Sequence, residues 1–157
     1  MKLIIKIWNI IMYALFVFRG IVKKYVEPSI ALLNIVKQLV LDNGEVTDEV
    51  IKKLIKQLWP SYYGDVVRYM NAFKQAVINL LPSNLFEDVD LRSFYAIARI
   101  TIQYLRNQKD SKIMYSYLLM IATKMFTILY SNKNISTSEA LWLTQTAYLR
   151  LKRNNKV

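Results

Sequence analysis

The residues best equipped for chemistry are two carboxylate clusters, Glu45/Asp48/Glu49 and Glu87/Asp88/Asp90. Carboxylates held close together serve as general acid and base, or hold a Mg²⁺ ion through their oxygens. Each cluster also stands where a predicted helix begins. There the helix dipole and the unpaired N–H groups favour negative charge, which accounts for both clusters without catalysis. Nothing else in the chain completes a catalytic set. With no cysteine and no histidine, it lacks disulfides, the usual zinc and haem ligands, Cys–His nucleophiles and Ser–His–Asp triads. Gly20, Gly44 and Gly64 stand far apart, so there is no glycine-rich phosphate loop. No catalytic, cofactor or metal residue is assigned, and a non-enzymatic protein is expected.

The remaining candidates concern binding. The 157 residues carry 22 basic against 11 acidic groups, a net charge of +11. The excess is dispersed, and it favours anionic surfaces of any kind: nucleic acid, lipid headgroups or an acidic protein. Lys2, Lys6, Lys23 and Lys24, with Arg150, Lys152, Arg153 and Lys156 at the other end of the sequence, are the expected contacts to phosphate or lipid. Such contacts would be independent of nucleotide sequence and sensitive to salt. Tyr62-Tyr63 beside Trp59, near Arg68, reads either as a stacking or interfacial set or as a packed corner between helices. Trp8, Phe16, Phe18 and Trp142 join them as expected contacts to a partner or a membrane.

The elements that must hold these residues are all helical. Hydrophobic residues make up 54% of the chain, while only three glycines and three prolines interrupt it, which suits long helices. The spacing predicts an apolar first helix over 2–27, then helices over 28–41, 47–58 and 61–81. Three more follow over about 89–107, 112–130 and 136–153. Thr47, Ser61 and Ser136 are the expected N-caps, the last within the capping box Ser136-Thr137-Ser138-Glu139. Glu27-Pro28 is expected to end the first helix and start the next, with Pro28 at a tolerated first-turn position, and Asp42-Asn43-Gly44 to end the second in a left-handed turn. Pro82-Ser83-Asn84 is the clearest joint, dividing an N-terminal part (1–81) from a C-terminal part (82–157) of one structural unit. The expected fold is all-α: about seven helices in an irregular bundle with an extended apolar N-terminal helix.

That first helix is unusual. Lys2, Lys6, Asn9, Tyr13, Gly20, Lys24 and Glu27 fall within a narrow stripe at ~100° per residue, and nearly everything else is apolar. It has the length of a membrane span, but Lys6, Asn9 and Arg19 interrupt it and only Ile7 to Phe18 is free of charge. An interfacial helix, or one packed into an assembly, fits the stripe; the basic residues after Phe18 do not resemble a signal-peptide cleavage site. The helix over 112–130 is also apolar but for Lys124, with Ser116, Thr123 and Thr127 on its expected wetter side. It reads better as the central helix of a bundle than as a span.

Three segments carry a resemblance: VEPSIALLNIVKQLV after the basic apolar first helix, GEVTDEVIKKLIKQLWP, and the closing NISTSEALWLTQTAYLRLK. Their order resembles small helical proteins of tailed bacteriophages of Bacteroidetes hosts, including crAss-like phages. The resemblance implies a virion component, tail- or capsid-associated or a packaged cargo, or else a holin-like lysis protein. It implies as partners the protein itself or other virion proteins, with the virion as location and the host inner membrane as the alternative. A non-specific nucleic-acid-binding module is the third expectation. None brings a cofactor or a catalytic residue.

Overall fold

The computed structural model describes residues 2–59, 66–130 and 135–154 (for 12–19 and 58, the backbone). Ser61, Tyr62, Tyr63, Asn132-Lys133-Asn134 and Lys156 lie outside them, as do the side chains of Phe16 and Phe18. The described residues form seven α-helices and no strand: α1 (Lys2–Ile21), α2 (Glu27–Leu41), α3 (Asp48–Leu58), α4 (Val66–Leu80), α5 (Phe94–Arg106), α6 (Ser111–Leu129) and α7 (Thr137–Arg153). A π-helical segment, Val22–Val26, joins α1 to α2, and a 3₁₀ turn, Ser83–Phe86, follows α4.

Two helices form the centre. In α2, ten of fifteen residues are buried, and the helix packs against α3, α5, α6 and α7. In α6, Ile121, Met125 and Phe126 are shielded completely, and the helix lies between α2, α4 and α7. Phe73 of α4 and Ile97 and Ile102 of α5 close the same core, so elements on both sides of Pro82 share one interior. Burial of each such side chain contributes on the order of 2 kcal/mol. Among the described residues, α6 is the helix with the length and apolarity of a membrane span, and 44% of that stretch is buried inside the bundle. Its hydroxyls do not mark a wet side as expected. Ser116 is exposed, but Thr123 is buried and both its hydroxyl and that of Thr127 bond back to the helix, to Leu119 O and Lys124 O at 2.8 Å each.

Several boundaries depart from the sequence expectation, each for a local reason. An extended apolar helix over 2–27 is not recovered: the α-helix stops at Ile21, while α2 starts at Glu27 with Pro28 in its first turn, as expected. Pro28 has no N–H to offer Lys24 O, and its ring would collide with that carbonyl in a regular turn. The chain adopts a π turn, in which Glu27 N–H reaches Val22 O. Tyr69 Oη then donates to the vacated Lys24 O at 2.6 Å, and Ser29 Oγ donates to Tyr25 O at 2.8 Å. Proline thus interrupts a continuous helical path with a π segment, and Tyr69 of α4 takes up the carbonyl it frees.

The end of α2 differs as well. Asp42 is extended (φ −80°, ψ 137°), and Gly44 does not take the left-handed conformation that the sequence led one to expect. Gly44 N–H instead closes a short turn onto Asp42 Oδ1 at 3.2 Å. The open carbonyls at this helix end are taken by Arg106, whose Nε and Nη2 donate to Leu39 O at 3.1 and 2.7 Å and whose Nη2 also donates to Gly44 O at 3.0 Å. Helix α5 begins at Phe94, not near 89, because Ser93 Oγ accepts from Ala96 N–H and fixes the cap there. The caps expected at Thr47 and Ser136 are made, from Val50 N–H and Glu139 N–H.

Candidate association surface

The carboxylate clusters do not assemble a reactive centre. Asp48 is ion-paired with Arg99 of α5, and Glu49 lies 3.7 Å from Lys52 on its own helix. Asp90 accepts from the backbone and side chain of Arg92 at 3.0 and 3.2 Å. These bonds hold its carboxyl below the usual carboxylate range, the backbone bond most strongly. Glu45, Glu87 and Asp88 are exposed. Among the described residues no group of three or more His, Cys, Asp or Glu comes together as a metal site. The second cluster precedes α5 rather than lying in its first turn, so there it is turn chemistry, not the helix dipole, that employs Asp90.

The aromatic candidates separate. Trp59 was expected to contact a partner or membrane, but it is buried against Tyr69, ring centroids 5.3 Å apart at 56°. It fills the corner after α3. Arg68, the expected companion of a stacking set, lies over the Tyr25 ring and donates to Leu129 O at 3.2 Å. Trp8 and Trp142 are at the surface, 60% and 57% exposed. A small apolar cavity of about 30 Å³ between α2, α6 and α7 is bounded by Ile30, Leu118 and Tyr148, enough for a water and little else.

What stands out is α1. Every residue from 2 to 11 is exposed, including Leu3, Ile4, Ile5, Ile7, Trp8, Ile10 and Ile11. Ile4 retains 70% of its surface, where a core isoleucine such as Ile97 retains none. At ~100° per residue these seven side chains span roughly 220° of the helix circumference, with Lys2, Lys6 and Asn9 grouped on the remainder. The major packing partner of α1 is the π segment that follows it, so this stretch leaves the bundle instead of lying along it. Removing each such side chain from water is favourable by about 1.5–3 kcal/mol. Seven of them between positions 3 and 11 leave a large driving force unused in the isolated chain.

The basic candidates divide into used and unused charges. Arg150 was expected to face an anionic surface, but it is ion-paired with Glu27 at the start of α2. That contact has a consequence for its neighbours. Lys23 and Lys24 lie about a turn before Glu27 and Lys152 and Arg153 within a turn of Arg150, and all four are exposed. The ion pair and the packing of α7 on the π segment bring the C-terminal end of α7 to the root of α1, residues more than a hundred positions apart in sequence. Lys24 also rests over the Tyr25 ring, 5.3 Å from its centroid. Sequence reasoning found both sets but had no signal for how α7 docks, and it missed Arg106 and Tyr69, whose partners lie 62 to 67 and 45 residues away. No family model, curated protein or solved structure matches this chain.

Proposed function

We propose that this chain is a non-enzymatic association protein: a packed helical body carrying an apolar helix, α1, whose burial on assembly fixes the body in place. The observation that carries the reading is the exposure of all residues from 2 to 11, seven of them large and apolar. Soluble monomers seldom leave so large a contiguous apolar surface in water. The absence of cysteine and histidine from the sequence and the pairing of Asp48, Glu49 and Asp90 with basic neighbours support a role without catalysis.

The resemblance to small helical phage proteins supplies a setting, a structural or packaged component of a tailed bacteriophage particle assembling through its apolar helices. A holin-like membrane protein is the second reading, favoured by the breadth of the exposed apolar arc on α1, which is wider than one flat protein interface covers. Fractionating infected or expressing cells into particle, membrane and soluble material tests the proposal. Wild-type protein in the particle or membrane fraction, released to the soluble fraction by Ile4→Gln/Ile7→Gln/Ile11→Gln, supports it. A wild-type chain that is soluble and monomeric refutes it.

A further inference from the structure

We infer that the occupant of the α1 surface is a bilayer containing anionic phospholipid, entered by α1 with the cationic root of the helix resting on the headgroups. This rests on the association reading above and names its partner. Three observations favour lipid over a protein groove or a second copy of the chain.

The first is the breadth of the surface. Ile4, Ile7 and Ile11 mark the centre of the apolar arc, and Ile5 and Ile10 lie far to either side of it, all exposed. A groove covers one face of a helix, whereas hydrocarbon surrounds it. The second is length. Twenty residues of α1 rise ~30 Å, close to the thickness of a hydrocarbon core. The charge-free stretch is shorter, since Lys6 and Arg19 are ~20 Å apart along the axis. Lysine and arginine stems extend several ångströms toward an interface, which makes up most of the difference.

The third is charge. Residues 1–26 hold Lys2, Lys6, Arg19, Lys23 and Lys24 and no acidic group. Pairing two copies of α1 side by side would set like charges against one another within a protein already at +11. An anionic surface resolves this. At the root of the helix Lys23 and Lys24 are exposed, and the Arg150–Glu27 ion pair marks where the basic C-terminal end of α7 meets the same end of the body. Each basic group near such a surface adds attraction that falls away with salt.

The test is flotation of the full chain, synthesised cell-free in the presence of vesicles of phosphatidylcholine alone or with one quarter phosphatidylglycerol. The wild type should float with the anionic vesicles and less with the neutral ones. Ile4→Gln/Ile7→Gln/Ile11→Gln should lower partitioning roughly 100-fold or more, from the apolar surface lost. Lys23→Gln/Lys24→Gln should lower it roughly tenfold on anionic vesicles only. Unchanged thermal unfolding of the body in each variant excludes misfolding as the cause. Should the wild type float with neither vesicle yet form a defined oligomer that the isoleucine variant dissolves, lipid is wrong and association stands. Should it neither float nor associate, both readings fall.

Discussion

Replacing Arg106 with alanine removes a long-range support at the end of α2, and its cost follows from the contacts. Asp42 N–H bonds to Gln38 O at 3.0 Å, so Leu39 O is the first carbonyl that the helix leaves open. Leu39 is buried, and the guanidinium reaches its carbonyl through two nitrogens at 3.1 and 2.7 Å. Losing a charged donor to a buried acceptor costs about 1.5–3 kcal/mol, and loss of the positive charge at a helix C-terminus adds about 0.3–1 kcal/mol. The bond to Gly44 O is exposed and adds little. Arg106→Ala should therefore destabilise the body by about 3 kcal/mol. Arg106→Lys keeps the charge but not the planar fork and should lose about half as much. The assay is urea unfolding followed by circular dichroism in mild detergent, which keeps α1 covered; the midpoint should fall at constant slope. A loss below about 0.5 kcal/mol for the alanine variant would show that water satisfies Leu39 O as well as Arg106 does, and the reasoning would fail.

Other outcomes follow from the π segment before Pro28. Tyr69→Phe should cost about 1–2 kcal/mol, because Lys24 O loses its donor. In a Pro28→Ala background the cost should shrink, since an alanine N–H can bond to the same carbonyl; equal costs in both backgrounds would disprove the link. Burial raises the Tyr69 hydroxyl above its ordinary pKa, with Tyr25 adding to the rise and Arg68 opposing it. The folded state thus holds this proton more tightly, and its stabilisation is complete below about pH 10 and lost as pH climbs through the folded value. Urea midpoints measured from pH 8 to 11 should decline more steeply in the wild type than in Tyr69→Phe. The Arg150–Glu27 pair is partly exposed, so a double-mutant cycle should return a coupling below about 1 kcal/mol. A larger coupling would make this pair a structural fastener of the α1 root and not only a local contact.

How much of this was legible in the sequence depends on how far apart the partners lie. The caps at Thr47 and Ser136 are made within three residues, and the buried faces of α4 and α7 follow the helical period, so both could be read directly. Residues 47 to 58 and 137 to 153 form helices where patterning placed them, to within a residue or so. The start of α5 was misread because Asp88 and Asp90 are as suitable for a cap as Ser93, and only the turn geometry decides between them. Glu27-Pro28 marks the start of α2 as expected, but the stop at Ile21 and the π segment before the proline were not legible. A distant tyrosine and a wider turn relieve both of its defects here, and neither is visible locally. Trp59 illustrates the converse: an aromatic beside a proline can be read as a surface contact or as a packed corner, and its burial against Tyr69 is the packed corner. On the association surface the narrow polar stripe of α1 was legible in residue spacing. The meeting of the basic end of α7 with the root of α1 was not, because it depends on how α7 docks.

The most direct measurement exploits the absence of cysteine from the sequence, which lets a single introduced thiol carry a spin label without background. Labels placed one at a time at positions 3 to 11 of the full chain, with anionic vesicles present, report collisions with dissolved oxygen and with a water-soluble nickel complex. Oxygen should dominate at 7 to 11 on every face of the helix, and the nickel complex should gain only toward position 3, where Lys2 and Lys6 reach the far interface. Labels equally open to the nickel complex at every position, with and without vesicles, would mean that α1 stays in water and that the proposed anchoring is wrong.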